Sequence, residues 1–121
     1  MTARFSVTPL TDAEYKTRTE ALLSSVEASV DSWLEADVID IDTHRTGGLL
    51  ELSFPNASVI VMNVQPPLQE MWLATRSGGF HYRFADDGAW RDSRDGSELF
   101  ETLSACASAQ AGQPLAFTAP D

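Results

Sequence analysis

Apolar residues in the first third of the chain recur at helical spacing. Tyr15, Leu22, Val26, Val30 and Trp33, separated by seven, four, four and three residues, form one stripe. Thr11-Asp12-Ala13-Glu14 has the form of a capping box, so a helix is predicted to start there and to end near Asp31 to Leu34. Glu20, Glu27 and Asp31 fall off the stripe. From Val38 to Phe54 the period drops to two: Ile39 and Ile41 alternate with Asp40 and Asp42, and Leu50, Leu52 and Phe54 with Glu51 and Ser53. Two strands are predicted, with Thr46-Gly47-Gly48 and Pro55-Asn56 as turns. A third strand covers Ser58 to Gln65. After Pro66-Pro67 come Glu70 to Thr75, the turn Ser77-Gly78-Gly79, an aromatic alternation from Phe80 to Phe84 and a short strand around Trp90. Asp95 and Glu98 then bracket a second helix start, with Leu99, Leu103 and Ala107 on one face and Gly112 before Pro114 as its stop. One face of each strand is polar, so both helices are expected on the same side. The predicted fold class is α+β: a two-layer sandwich, with a six-stranded antiparallel sheet covered on one face by the N- and C-terminal helices.

A chain of 121 residues builds one hydrophobic core and not two, so a single domain over residues 1–121 is expected. Apolar residues at 43% argue for a packed globule despite the charge imbalance. That imbalance narrows the partners. Eighteen acids against eight bases give a net charge of -10, which repels phosphate backbones and anionic lipid, so neither nucleic acid nor membrane is an expected partner. The same field favours cations or a basic protein surface, although acidity also serves solubility alone. The single cysteine, Cys106, excludes an intramolecular disulfide, and the longest aliphatic run, Val59 to Met62, is far short of a membrane span. Met1 to Leu10 lacks a signal-peptide core, so a cytoplasmic location is expected.

Two groups of residues carry candidate chemistry. Glu27, Asp31, Glu35, Asp37, Asp40 and Asp42 cluster between the end of the first helix and the first strand, with no lysine or arginine from Arg18 to Arg45. Glu27 and Asp31 share a helix face, and Asp40 and Asp42 a strand face. Their oxygens suit iron, manganese, calcium or magnesium, and nothing resembles a zinc ligand set. A solvated acidic face explains the same residues. His44 either adds a nitrogen ligand or is simply exposed. Alternation also places Val61, Asn63, Gln65 and Trp72 on the uncovered sheet face. An exposed tryptophan there reads as an anchor unless a loop or the C-terminal tail shields it. His81 falls on that face too, and a plain surface histidine accounts for it. Cys106 reads as a small core residue. No carboxylate or histidine lies in a predicted closed pocket, so no enzymatic activity is expected.

Asp40-Ile41-Asp42 leading to Gly47-Gly48, Asn63-Val64-Gln65-Pro66-Pro67-Leu68-Gln69-Glu70-Met71-Trp72-Leu73-Ala74, and Ser77-Gly78-Gly79-Phe80-His81-Tyr82 together resemble the frataxin family, in its bacterial CyaY branch. The resemblance runs over roughly residues 12 to 117. It implies the frataxin-like sandwich, and a protein that binds iron and regulates or supplies iron–sulfur cluster assembly without being an enzyme. It implies shallow binding of ferrous or ferric iron at Glu27, Asp31, Glu35, Asp37, Asp40 and Asp42. It further implies docking on a cysteine desulfurase and an iron–sulfur scaffold, with Asn63, Gln65, Gln69 and Trp72 as the scaffold contacts. The protein is expected to be mostly monomeric. An alternative within the resemblance is an iron-storing or iron-oxidising protein that oligomerises with metal. A generic interaction module, outside the resemblance, would bind no iron.

Overall fold

Thr11 opens the first helix as its spacing to Glu14 requires. Its hydroxyl accepts from the Glu14 backbone N–H at 3.1 Å, and the Glu14 carboxylate accepts from the Thr11 N–H at 2.9 Å. This reciprocal bonding starts helix α1, Asp12–Glu35. Tyr15, Leu22, Val26 and Val30 are buried along it as predicted, joined by Thr19 and Leu23. Trp33 is partly buried and meets Phe117 edge-on, with ring centroids 4.8 Å apart. The computed structural model describes residues 5–120; the start of the Met1 to Leu10 stretch and the last residue lie outside the described residues.

Helix α1 ends in a closed loop rather than running into a strand. The Val38 N–H donates to the Trp33 carbonyl and the Asp37 N–H to the Leu34 carbonyl. Asp37 takes a left-handed φ of 57°, the position where this closure most often carries glycine. The reversal occupies Ala36 to Val38, so the first strand begins later than the alternation from Val38 suggests: β1 is Asp42–Thr46. Ile41 is buried nevertheless, because the link already passes over the core. The remaining strands are β2 Leu49–Ser53, β3 Val59–Gln65, β4 Glu70–Thr75, β5 Gly78–Phe84 and β6 Trp90–Asp92. They form one antiparallel meander in chain order, so every neighbouring pair is joined by a short local connection.

Helix α2, Leu99–Ala111, closes the order. Its cap differs from the bracket drawn at Asp95 and Glu98. Glu98 itself is the N-cap, accepting from the Phe100 and Glu101 N–H groups, while Asp95 accepts from Ser97 in the turn before. Gly112 ends the helix with φ 73°. Both helices contribute to one buried cluster with the inward residues Leu50, Leu52, Ile60, Met62, Met71, Leu73 and Tyr82, and Leu115 and Phe117 of the tail complete it. The predicted α+β sandwich, six antiparallel strands with both helices on one face, is the fold observed. Cys106 lies buried on α2 within this core.

Two close fits constrain the core. At the β1–β2 turn an added Cβ on Gly48 would lie 2.2 Å from Cγ2 of Val64, a stiff β-branched side chain. Gly48→Ala should therefore destabilise the fold by about 1–3 kcal/mol, read as a lowered urea midpoint with an unchanged slope. An unchanged midpoint would show that Val64 yields freely. Tyr82 is fully buried and its hydroxyl has no hydrogen-bond partner among the described residues. Burial pushes its phenol from 10.0 up to about 12. A pKa raised on folding gives stability that is complete below pH 10 and is lost as the pH climbs to about 12. Tyr82→Phe should cost about 1 kcal/mol or less at neutral pH, since it removes an unpaired hydroxyl, and should make alkaline unfolding less steep. Coincident alkaline unfolding curves for both proteins would overturn this account.

Candidate docking face and acidic edge

The strand register sorts side chains between two faces. Met62 pairs with Leu73 and Leu73 with Phe80 on the helix side, which puts Asn63, Trp72 and His81 in one row on the uncovered side. Gln65, Glu70, Arg83 and Arg91 form the adjacent row. Asn63, Gln65 and Trp72 are therefore brought together, as expected, and each is partly exposed. Among the described residues neither a loop nor the tail shields Trp72, which stays partly exposed. Its indole is instead stacked flat on the His81 imidazole, with centroids 4.3 Å apart and planes 8° from parallel. Its Nε1–H donates to Glu70 Oε1 at 2.8 Å. The tryptophan is thus a held surface ring with one face and an edge available.

Gln69 differs from the other three. It adopts a left-handed φ of 52° after the single 3-10 turn Pro66–Leu68. Its amide accepts from the Leu10 N–H at 3.0 Å and donates to the Leu10 carbonyl at 2.5 Å. Both polar groups are engaged in fixing the N-terminal segment, so Gln69 acts first as a structural bracket. The resemblance implied a partner contact for Gln69, and the spacing gave no sign that Leu10 would engage it.

Glu70 is the residue that sequence reasoning passed over. A glutamate in an amphipathic strand reads as solvated, yet its side chain is only 9% exposed although it stands on the open face. Oε1 faces Trp72 Nε1, with His81 Nδ1 at 3.9 Å, and Oε2 accepts from Arg83 Nε at 3.1 Å. The signal available in the sequence was the i, i+2 relation of Glu70 to Trp72, which places both on one face.

Five of the six acids follow one another from the end of α1 to the start of the edge strand β1. Asp31 and Glu35 are exposed at the end of α1, Asp37 in its closing loop, Asp40 in the link and Asp42 at the start of the edge strand β1. By register Asp42 and His44 belong to the uncovered face, opposite Ser53 and Glu51. His44 is exposed. Glu27 stands apart, because Arg45 folds back from β1 across α1 and binds its carboxylate at 2.6 Å. A cation absent from the linear run is therefore delivered to it by the fold. Among the described residues no three carboxylate, imidazole or thiol groups converge to hold a metal. The donor set is hard oxygen presented to water, which fits a labile divalent cation held by one or two carboxylates at a time and not an enclosed ion. No described helix is long and apolar enough to cross a membrane.

A model of the frataxin-like domain matches residues 8–113 of the chain. The iron–sulfur cluster assembly protein CyaY of Burkholderia mallei strain SAVP1 is 52% identical over 110 residues, covering 91% of this chain and all of that one. CyaY of Variovorax paradoxus strain S110 is 51% identical over 91% of this chain and 99% of its own. Among solved structures, a frataxin from Psychromonas ingrahamii superposes with a TM-score of 0.79 at 32% identity, over 90% of this chain and 99% of that chain. A trimeric frataxin from the yeast Saccharomyces cerevisiae, complexed with ferrous iron, gives a TM-score of 0.68 at 27% identity over 88% of this chain and 94% of that chain.

Proposed function

The chain belongs to the frataxin-like family, in its bacterial CyaY branch, and from that premise we propose that it is a non-enzymatic, iron-binding accessory protein of iron–sulfur cluster assembly that docks on the cysteine desulfurase and its scaffold. The observation that carries this reading is Trp72, an uncovered and rigidly held tryptophan on a sheet face that adjoins an edge of exposed acids. A large flat side chain with few rotamers to lose is the usual centre of a binding hot spot. Asn63 and Gln65 flank it with amide groups able to bond a partner. The acids Asp31, Glu35, Asp37, Asp40 and Asp42 then serve two ends, as a loose site for ferrous iron and as the complement to a basic desulfurase surface. Glu27 contributes less to either, since Arg45 already neutralises it. Iron is cargo on such an edge. The protein acts as a single domain, and as a monomer until metal or partner joins it.

Replacing Trp72 by alanine should weaken binding to the purified desulfurase–scaffold complex by about thirtyfold, equivalent to about 2 kcal/mol, with little loss of thermal stability. Unchanged affinity would remove the anchor. The acidic edge has its own test, an anaerobic calorimetric titration with ferrous iron. Exposed carboxylates each contribute about 0.5–1 kcal/mol to a nearby cation, so changing Asp31, Asp40 and Asp42 together to asparagine should cut affinity by about tenfold to a hundredfold. A single tight site surviving that triple change would place iron elsewhere. Sizing the protein with and without ferrous iron separates the monomeric accessory role from a store that assembles on metal.

A further inference from the structure

Glu70 is buried on the face of the sheet that has no layer above it, and that location demands a cause. A carboxylate shielded from water is costly unless its oxygens are paired, and here both are: Oε1 with the Trp72 indole at 2.8 Å and Oε2 with Arg83 at 3.1 Å. The shielding comes from the groups that it holds. Trp72 lies two residues along the same strand, His81 is stacked 4.3 Å over the indole, and Arg83 is the cross-strand partner of Glu70 itself. Beneath the sheet, the backbone carbonyl of Glu70 accepts a 2.5 Å hydrogen bond from the buried Tyr15 hydroxyl, so the residue is anchored from the core side as well.

We infer that Glu70 is a positioning residue for the docking face: its carboxylate clamps the Trp72 indole into one orientation under the His81 ring and so presents a preformed anchor to the partner. The inference rests on the reading of Trp72 as the anchor and adds the residue that fixes it. An indole on a flat sheet has two χ angles to settle, and binding must pay for any freedom that remains in them. A hydrogen bond to a charged acceptor at the indole edge, together with a stacked ring on its face, removes that freedom before the partner arrives. Arg83 orients the second oxygen and keeps the carboxylate from turning away.

The test compares Glu70→Ala with Glu70→Gln, which keeps a carbonyl acceptor for the indole while losing the charge. In a nitrogen-15 NMR spectrum the chain gives three indole N–H signals, from Trp33, Trp72 and Trp90, and the Trp72 signal is assigned by its loss in Trp72→Phe. The clamp predicts that Glu70→Ala moves the Trp72 indole signal toward the free-indole position and speeds its exchange with water, leaving Trp33 and Trp90 in place. Glu70→Gln should keep the signal protected. Affinity for the purified desulfurase–scaffold complex should fall about threefold to tenfold in Glu70→Ala and stay within about twofold of the original in Glu70→Gln. An unmoved Trp72 signal in Glu70→Ala, or Trp33 and Trp90 signals moving along with it, overturns the positioning role. If Trp72→Ala binds the complex as well as the unaltered protein, docking through this face is wrong, and the indole signal alone still decides whether Glu70 is the clamp.

Discussion

Burial of one sheet face beneath two helices is the constraint from which the rest of this molecule follows. Each strand residue must take one of two fates, and the period of two assigns them without exception in the central strands: Ile60, Met62, Met71 and Leu73 go into the core, and Val61, Asn63, Trp72 and Ala74 do not. A slip of one residue in β4 would bury the indole and expose Met71 and Leu73. Register is therefore held by the whole core, at roughly 1.5–3 kcal/mol for each large side chain kept from water. The Tyr15 hydroxyl adds a local pin. It accepts from the Gln65 N–H at 3.0 Å and donates to the Glu70 carbonyl, joining the start of α1 to the facing ends of β3 and β4.

Charge is distributed by the same constraint. The covered face takes the buried Asp92 only with Arg94 beside it, and a chain with a net charge of -10 places most of its carboxylates at edges, helix ends and the open face. The arginines near the open face are already committed: Arg83 to Glu70, Arg91 to Asp87, and Arg94 to Asp92. Asp31, Glu35, Asp37, Asp40 and Asp42 have no basic partner among the described residues and follow one another along a single stretch of chain. Within a Debye length of about 8–10 Å in physiological salt, these charges act together on an approaching cation or basic surface.

The fold was legible because its signals are periodic and redundant. The capping box at Thr11, the aliphatic alternation of β2 to β4 and the glycine stop at Gly112 each say the same thing twice, in pattern and in local chemistry. The errors fall where the backbone does something that no period encodes. Asp37 closes α1 in the left-handed region without glycine, and this delays β1 to Asp42. The geometry of the candidate site was legible only in part for a related reason. Strand alternation places Trp72, but pairings between residues far apart in the chain, Glu27 with Arg45 and Gln69 with Leu10, depend on the finished fold. Glu70 escaped notice because its burial is produced by Trp72, His81 and Arg83 together, and no single-residue rule foresees a glutamate covered by its own partners.

The two halves of the proposed site answer to different physics. The acids gain nothing from rigidity, since a cation in water is held by charge and exchanges quickly, and spreading them over a helix end, a loop and an edge strand suits that. The indole gains everything from it, because an anchor that must first be ordered loses part of its binding energy to entropy. The structure follows this division, with exposed acids on the irregular border and the tryptophan in the middle of the sheet, bonded, stacked and backed by the core. A partner meeting both would be steered by the first and fixed by the second.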